Sequence, residues 1–162
     1  MARWPALLAL ALIAAAPAPA ARFAATVLRV KDGDSLVVER VRERRVSEIR
    51  LWAIDAPELD QPWGIEARTG LRRLVGGRRV EVEAVDRDRW GRVVARMWQG
   101  RTYVNAAMTW HGDAWALRHR GADPAILAGE RAARTARRGL WSLPPDRRIP
   151  PATWRQRHPR GG

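Results

Sequence analysis

Carboxylates end two segments in the first half of the chain. Asp34 closes a turn of sequence Asp-Gly-Asp, and Asp55 follows a run in which apolar and polar residues alternate. Hard divalent cations bind several oxygen ligands, which two carboxylates, a backbone carbonyl and water can supply. Asp34, Asp55 and the carbonyl of Ala56 therefore form a candidate metal site. The three histidines lack the spacing of zinc ligands, so Ca²⁺ or Mg²⁺ is favoured over Zn²⁺.

A third carboxylate and two arginines add the groups that phosphodiester hydrolysis needs. Glu58 follows Asp55 by three residues, beyond a proline that restricts the backbone. A carboxylate placed there can orient a water molecule or take its proton. Arg50 and Arg92 can pair with phosphate oxygens and stabilise the charge that builds up at phosphorus. Each residue alone is more often an ordinary turn or cap residue, so the prediction depends on their combination.

Five predicted strands must bring these residues together. The segments assigned to strands are 27–30, 36–41, 44–54, 78–86 and 92–98. In the third, Ile49, Leu51 and Ala53 fall on one face, opposite Arg50 and Trp52. The first three strands follow one another as a meander, so the ends that carry the two aspartates can meet at one rim of the sheet.

Three helices are predicted around these strands. The first spans residues 64–77 and the second residues 103–112, each ending in glycine. The third begins at an Asp123 cap followed by Pro124 and is expected to run to Gly139. One helix before the fourth strand and two after the fifth predict an α+β fold built on a small closed barrel.

The two ends of the chain differ in composition from the middle. Residues 1–20 combine an early arginine, an apolar run and small residues ending in Ala-Pro-Ala. This is typical of a secretory signal peptide, with an uncleaved membrane anchor as the alternative. Residues 142–162 are rich in Pro and Arg without apolar periodicity, and we expect an extended or disordered arm. The folded domain is therefore expected over residues 21–141.

Charge and composition limit the partners of the protein. The 162-residue chain has a formal net charge of +13, and Lys31 is its only lysine. Such an excess attracts polyanions, and arginine makes bidentate contacts with phosphate that lysine cannot. A G+C-rich genome explains the ratio of arginine to lysine but not the size of the net charge. The lack of cysteine excludes disulfides and thiolate metal sites.

Five motifs in order, at compatible spacings, carry a family resemblance. They are DGDS at 32–35, RLWAIDAPE at 50–58, DRWGR at 88–92, VNAAM at 104–108 and ARTARRGLW at 133–141. Through them the sequence resembles the staphylococcal (micrococcal) nuclease family over nearly the whole chain between the two ends. One such motif would be weak, but five in order are specific.

The resemblance implies a five-stranded OB-fold barrel with three helices. It also implies an endonuclease that depends on Ca²⁺, cuts DNA and RNA with little sequence specificity and leaves 3′-phosphate ends. Mg²⁺ is the alternative cation that the sequence leaves open. The matched residues are Asp34, Asp55 and Ala56 for the metal, Arg50 and Arg92 for the phosphate, and Glu58 as general base or water-orienting group. We expect a monomer without a stable protein partner, exported to the periplasm or the medium.

The nucleotide pocket departs from the family pattern. Two tyrosines that pack on the nucleotide in the founding enzyme have no counterpart here, where Trp115 and Arg118 stand instead. Arg89 and Trp90 lie beside Arg92 and are candidates for phosphate and stacking contacts. The alternative function is an inactive OB-fold module that binds nucleic acid. A structural protein whose basic surface binds anionic polymers or lipid headgroups is a second alternative.

Overall fold

Five long strands and three short ones build the sheet structure of the protein, described here by a computed structural model over residues 22–118, 121 and 123–159. In chain order they are β1 (Arg22–Val30), β2 (Ser35–Arg40), β3 (Val46–Leu51), β4 (Ile54–Asp55), β5 (Arg79–Arg87), β6 (Val93–Gln99), β7 (Thr102–Tyr103) and β8 (Trp115–Ala116). The signal peptide predicted over residues 1–20 lies outside the described residues.

A parallel pair closes the five long strands into a barrel. β1 pairs antiparallel with β2 and β5, β2 with β3, and β5 with β6. β3 and β6 then pair in parallel, with Ile49 opposite Val93 and Leu51 opposite Ala95. Alternate residues of these strands point into one apolar core, as the period of two predicts. This is the strand order of an OB-fold, and the predicted fold class is confirmed.

The third strand is shorter than the sequence pattern predicts. The alternation was expected to continue to residue 54 with Ala53 on the same face as Ile49, but β3 ends at Leu51. Ala53 has a φ of 60°, a left-handed conformation that no regular strand contains. The chain therefore turns, and β4 pairs with β8 instead, with Ile54 opposite Ala116. This corner directs Asp55 toward the barrel rim.

Asn105 fixes the same corner from inside the protein. Its amide donates to the carbonyls of Trp52 and Ala95 at 2.9 and 3.2 Å, and its Oδ1 accepts from the Met97 amide at 3.0 Å. The side chain is fully buried, so none of these backbone groups has water as a substitute partner. Asn105 thus joins the turn after β3 to strand β6.

Replacing Asn105 with alanine is expected to lower the free energy of unfolding by about 2–4 kcal/mol, because buried backbone groups lose their partners. Urea unfolding with an unchanged m-value measures this change. Thr102→Ala, at an exposed position of β7, is the matched control. A loss in Asn105→Ala no larger than in the control would contradict the role given to this amide.

Four α-helices lie outside the barrel in the described part of the chain, one more than the three predicted. They are α1 (Gly64–Val75), α2 (Val104–His111), α3 (Pro124–Thr135) and α4 (Pro151–Arg157). Asp123 caps α3 as predicted, accepting hydrogen bonds from the amides of Ala125 and Ile126. No helix within the described ranges is long and apolar enough to cross a membrane.

The third helix ends before the predicted glycine. α3 stops at Thr135, and Arg137 has a φ of 50°, so the chain reverses there rather than continuing to Gly139. Gly139–Ser142 forms a short 3-10 helix that buries Leu140 and Trp141. The glycine therefore opens a second short element and does not cap the first.

Residues after 142 are folded where the structure describes them. The prediction of an extended or disordered arm is wrong for this part, which contains a 3-10 turn (Pro145–Arg147) and helix α4. Prolines at the first helical positions start both elements. The segment is tied to the loop before α1 because Gln61 Nε2 donates to the Ile149 carbonyl at 2.5 Å and Trp154 Nε1 to Asp60 Oδ1 at 3.3 Å.

Asp113, just after α2, is a buried carboxylic acid near the start of α1. It accepts a 2.9 Å hydrogen bond from Trp63 Nε1. Burial raises the pKa of Asp113, and the Trp63 hydrogen bond only partly opposes this. With the folded-state pKa above the unfolded one, the folded protein binds the proton more tightly. The resulting stabilisation is complete below the unfolded pKa and is lost as pH rises through the folded pKa.

Asp113→Asn is therefore expected to be more stable than the native chain at pH 7, because it removes a buried charge and keeps an acceptor for Trp63. The difference should disappear below about pH 3.9, where aspartate is protonated even in the unfolded chain. Thermal unfolding of both proteins from pH 3 to 8 measures it. Exposed Asp146, changed to asparagine, is the control. Equal unfolding temperatures at pH 7 would show that the Asp113 charge costs nothing.

Candidate active site

The turn between β1 and β2 places Asp34 against the corner that carries Asp55. Asp32 Oδ1 accepts the Asp34 amide at 3.0 Å, which holds the turn. Asp34 Oδ2 in turn accepts the Ala56 amide at 2.6 Å, and Asp34 is only 6% exposed. A Cβ on Gly33 would lie 2.6 Å from that of Ala56, so this close approach requires glycine. The Ala56 amide, rather than the carbonyl predicted as a metal ligand, is thus the group that contacts Asp34.

Arg50 joins the two aspartates through one guanidinium group. Its Nη2 donates to Asp55 Oδ1 at 2.8 Å, and its Nη1 contacts Asp34 Oδ2. Within the described residues, that Nη1 has no acceptor in hydrogen-bond alignment, although it is buried. Burial lowers the pKa of Arg50 and the charge of Asp55 opposes this. Arg50 therefore holds a buried positive charge between the two aspartates, a group of the kind that pairs with phosphate oxygens.

The turn before β6 brings Arg92 to the same rim. Asp88 Oδ1 accepts the backbone amides of Trp90 and Arg92, both at 3.0 Å, and its Oδ2 accepts Arg92 Nε at 2.7 Å. Burial raises the pKa of Asp88, but the Arg92 hydrogen bonds outweigh it and the net pKa is lowered. Arg92 Nη1 donates to Ser35 Oγ at 3.4 Å, and Ser35 Oγ donates to Asp34 Oδ1 at 3.1 Å. The structure thus brings both predicted arginines to Asp34.

Ser35 is a member of this site that the sequence did not single out. Its side chain is buried and links Arg92 to Asp34. The signal was present, since Ser35 completes the DGDS motif. A serine hydroxyl can donate and accept hydrogen bonds at once. Ser35 uses both abilities, because it accepts from Arg92 and donates to Asp34.

Glu58 is held to Asp55 by Arg155, a residue that no motif in the sequence singles out. Arg155 Nη1 donates to Glu58 Oε1 at 2.8 Å, and its Nη2 donates to Asp55 Oδ2 at 3.0 Å. Burial lowers the pKa of Arg155, but these hydrogen bonds outweigh it and hold the pKa above its usual range. Arg155 lies in the Arg-rich segment, where no periodicity distinguishes one arginine from another. The contact is visible only in the fold.

The substrate-binding candidates divide into two groups. Trp90 is 66% exposed, and the guanidiniums of Arg89 and Arg92 lie 4.2 and 5.2 Å from its ring centroid. This places an exposed aromatic ring beside Arg92, the arrangement that base stacking requires. Trp90 and Arg89 therefore remain candidates for nucleotide contact.

Trp115 and Arg118, in contrast, take part in packing of their own. The Trp115 ring packs edge-on against Trp141, with centroids 4.4 Å apart. Arg118 Nη2 pairs at 2.6 Å with Glu130, a fully buried carboxylate that also accepts the Ala116 amide. These contacts explain both residues as structural, although the Asp55 and Trp115 backbones are opposite each other in the β4–β8 pair.

The donor set is consistent with a hard cation. In the part of the chain that the structure describes, no group of three or more His, Cys, Asp and Glu side chains is arranged to hold a metal ion. A cation here would rest on Asp34, Asp55, the Ala56 carbonyl and water, all oxygen donors. Asp34 and Asp55 both contact the Arg50 guanidinium, and oxygen donors alone suit Ca²⁺ or Mg²⁺.

Comparison with known proteins gives a family and several relatives. Residues 48–143 match the family model described as staphylococcal nuclease homologue. Protein ParB of Escherichia coli is 39% identical over 160 residues, covering 91% of this chain and 88% of ParB. An uncharacterised endonuclease of Escherichia coli is 36% identical over 132 residues, with 81% and 84% covered. The micrococcal nuclease of Shigella flexneri is 36% identical over 147 residues, with 84% and 83% covered.

Proposed function

Because the chain belongs to the staphylococcal nuclease family, we propose that it is an endonuclease that hydrolyses phosphodiester bonds in DNA and RNA with little sequence specificity. Relatives named endonuclease and micrococcal nuclease, which align over most of both chains, support this. The observation that carries the proposal is the convergence of Asp34 and Asp55 on Arg50, with Arg92 reaching Asp34 through Ser35.

In the proposed site the acidic residues hold the cation and the arginines bind the phosphate. Asp34, Asp55 and the Ala56 carbonyl would hold Ca²⁺ or Mg²⁺, which supplies positive charge for a phosphate oxygen and makes water more acidic. Arg50 and Arg92 bind phosphate oxygens and stabilise the charge that grows on them as water attacks. The site therefore acts mainly by electrostatic stabilisation.

Glu58 assists the attacking water in this proposal. Its side chain is 17% exposed, so it borders the buried aspartates and still reaches solvent. It orients the water and accepts its proton as the new oxygen–phosphorus bond forms. The bond from phosphorus to the 5′ oxygen breaks, the 5′ oxygen gains a proton, and a 3′-phosphate end remains. Arg89 and Trp90 contact the neighbouring nucleotide.

The proposal also includes export of the protein from the cytoplasm, directed by residues 1–20. The composition of residues 1–20 supports a cleaved signal peptide, and we propose that the mature protein acts in the periplasm or the medium. The net charge of +13 draws nucleic acid toward the site and makes binding dependent on salt. Cell fractionation together with N-terminal sequencing tests this part. An intact N-terminus in the membrane fraction would contradict it.

The decisive experiment is release of acid-soluble nucleotides from DNA and RNA with Ca²⁺, with Mg²⁺ and with EDTA. We expect cleavage of both polymers with a divalent cation and none with EDTA. The products should support extension by a polymerase only after phosphatase treatment, because a 3′-phosphate blocks extension. Cleavage that is indifferent to EDTA would contradict the metal site. Tight binding of DNA without cleavage would favour the inactive binding module instead.

A further inference from the structure

Helix α4 places an arginine directly on the carboxylates of the proposed site. Arg155 Nη2 is 3.0 Å from Asp55 Oδ2, and its Nη1 is 3.3 Å from Asp55 Oδ1 and 2.8 Å from Glu58 Oε1. Arg50 Nη2 donates to the same Asp55 Oδ1 at 2.8 Å. Both oxygens of Asp55 therefore already accept hydrogen bonds from guanidinium groups.

A cation that takes Asp55 as a ligand must compete for those oxygens. The Asp55 side chain is only 6% exposed, so few other directions of approach exist. A divalent ion bound to Asp55 would also lie within a few ångströms of the Arg155 charge, and like charges at that distance repel. Arg155 in this position and a cation on Asp55 therefore oppose each other.

Of the two arginines on Asp55, Arg155 is the one able to move away. The Arg50 side chain is 17% exposed and belongs to β3, which is paired on both sides within the barrel. The Arg155 side chain is 47% exposed and belongs to a helix of seven residues. Besides Arg155 itself, hydrogen bonds from Gln61 and Trp154 tie this segment to the loop before α1. Moving α4 therefore breaks these hydrogen bonds and uncovers its buried Pro151, whereas moving Arg50 disturbs the paired strands of the barrel.

We propose that Arg155 is a displaceable counter-ion, which occupies Asp55 and Glu58 until a divalent cation binds and releases α4 from the site. This rests on the cation site of the proposed function. Cation binding and docking of α4 are then coupled with opposite sign. By thermodynamic reciprocity, a change that weakens docking of α4 tightens cation binding, and cation binding loosens α4.

Calorimetric titration with Ca²⁺ tests the first half of this coupling without any activity measurement. Arg155→Gln should bind Ca²⁺ roughly threefold to tenfold more tightly than the native chain, since a partly exposed ion pair no longer competes. Arg157→Gln removes the same charge from an exposed position of the same helix and should change the affinity by less than about twofold. Equal or weaker Ca²⁺ binding by Arg155→Gln would overturn the proposal.

Hydrogen exchange of the native chain tests the second half and needs no variant. Amides of residues 152–157 should exchange faster at saturating Ca²⁺, while amides of strands β3 and β6 keep their protection. Unchanged or slower exchange in α4 would mean that Arg155 stays in the liganded site, which overturns the proposal.

Asp55→Asn separates a failure of this inference from a failure of the proposed function. If Asp55→Asn abolishes Ca²⁺ binding while Arg155→Gln leaves it unchanged, the cation site stands and the displacement by Ca²⁺ is wrong. If Asp55→Asn binds Ca²⁺ like the native chain, the cation site is wrong and the displacement fails with it.

Discussion

Asp55→Asn is expected to reduce Ca²⁺-dependent cleavage of DNA by at least about a hundredfold in kcat/KM. Asp55 is a buried carboxylate on which Arg50 and Arg155 converge, and the proposed cation needs its charge. Asparagine keeps the size of the side chain and one oxygen but removes that charge. The fall should appear together with a loss of Ca²⁺ binding, because both follow from the same ligand.

The control for Asp55→Asn is Asp86→Asn. Asp86 is an exposed carboxylate of β5, so this change removes one negative charge without touching the site. We expect its kcat/KM and Ca²⁺ affinity to stay within about twofold of the native values. Circular dichroism establishes that both variants are folded. Cleavage by folded Asp55→Asn at the native rate would exclude Asp55 as a metal ligand.

Arg92→Lys is expected to lower kcat by roughly 10²- to 10³-fold, the range for loss of one donor that stabilises a transition state. Arg92 uses Nε to hold Asp88 and Nη1 to reach Ser35, so its planar group is fixed at both ends. Lysine keeps the charge but cannot make both contacts at once. Because the lost interaction strengthens as charge develops, KM should change much less than kcat.

Arg101→Lys is the control for this arginine. Arg101 is exposed in the turn between β6 and β7 and belongs to no part of the site described here. Steady-state kinetics on one oligonucleotide at fixed salt compares both variants, since binding of a polyanion varies with salt. A rise in KM for Arg92→Lys with kcat unchanged would mean that Arg92 binds substrate without stabilising the transition state.

The parts of the site that the sequence could predict are those set by local chemistry. Asp32 and Gly33 shape the turn that presents Asp34, and the turn from Asp88 to Arg92 is held by its own carboxylate. Such turns are stabilised by residues close together in the sequence, so their conformation can be predicted from the motif without knowledge of the tertiary structure. The Asp123 cap of α3 belongs to the same class.

The features that the sequence could not predict depend on residues far apart in the chain. The left-handed backbone at Ala53 has no local signal, because the positions that favour such a conformation are usually glycine. Asn105, which lies 53 positions after Trp52, holds this turn together with the Leu117 amide, which donates to the Ala53 carbonyl at 2.8 Å. Composition likewise could not place Arg155, whose partner Asp55 is 100 positions earlier. A proline-rich segment is disordered only when it makes no contacts with the rest of the fold. Here Gln61 and Asp60 bind the segment.

The parallel pairing of β3 with β6 has a consequence for when the chain can act on nucleic acid. Arg50 lies in one of these strands and Arg92 just before the other, and 42 positions separate them in the sequence. Before β3 and β6 pair, the guanidinium groups of Arg50 and Arg92 are not held near each other. They therefore cannot bind the same phosphate group. The proposed phosphate site thus forms only when the barrel closes.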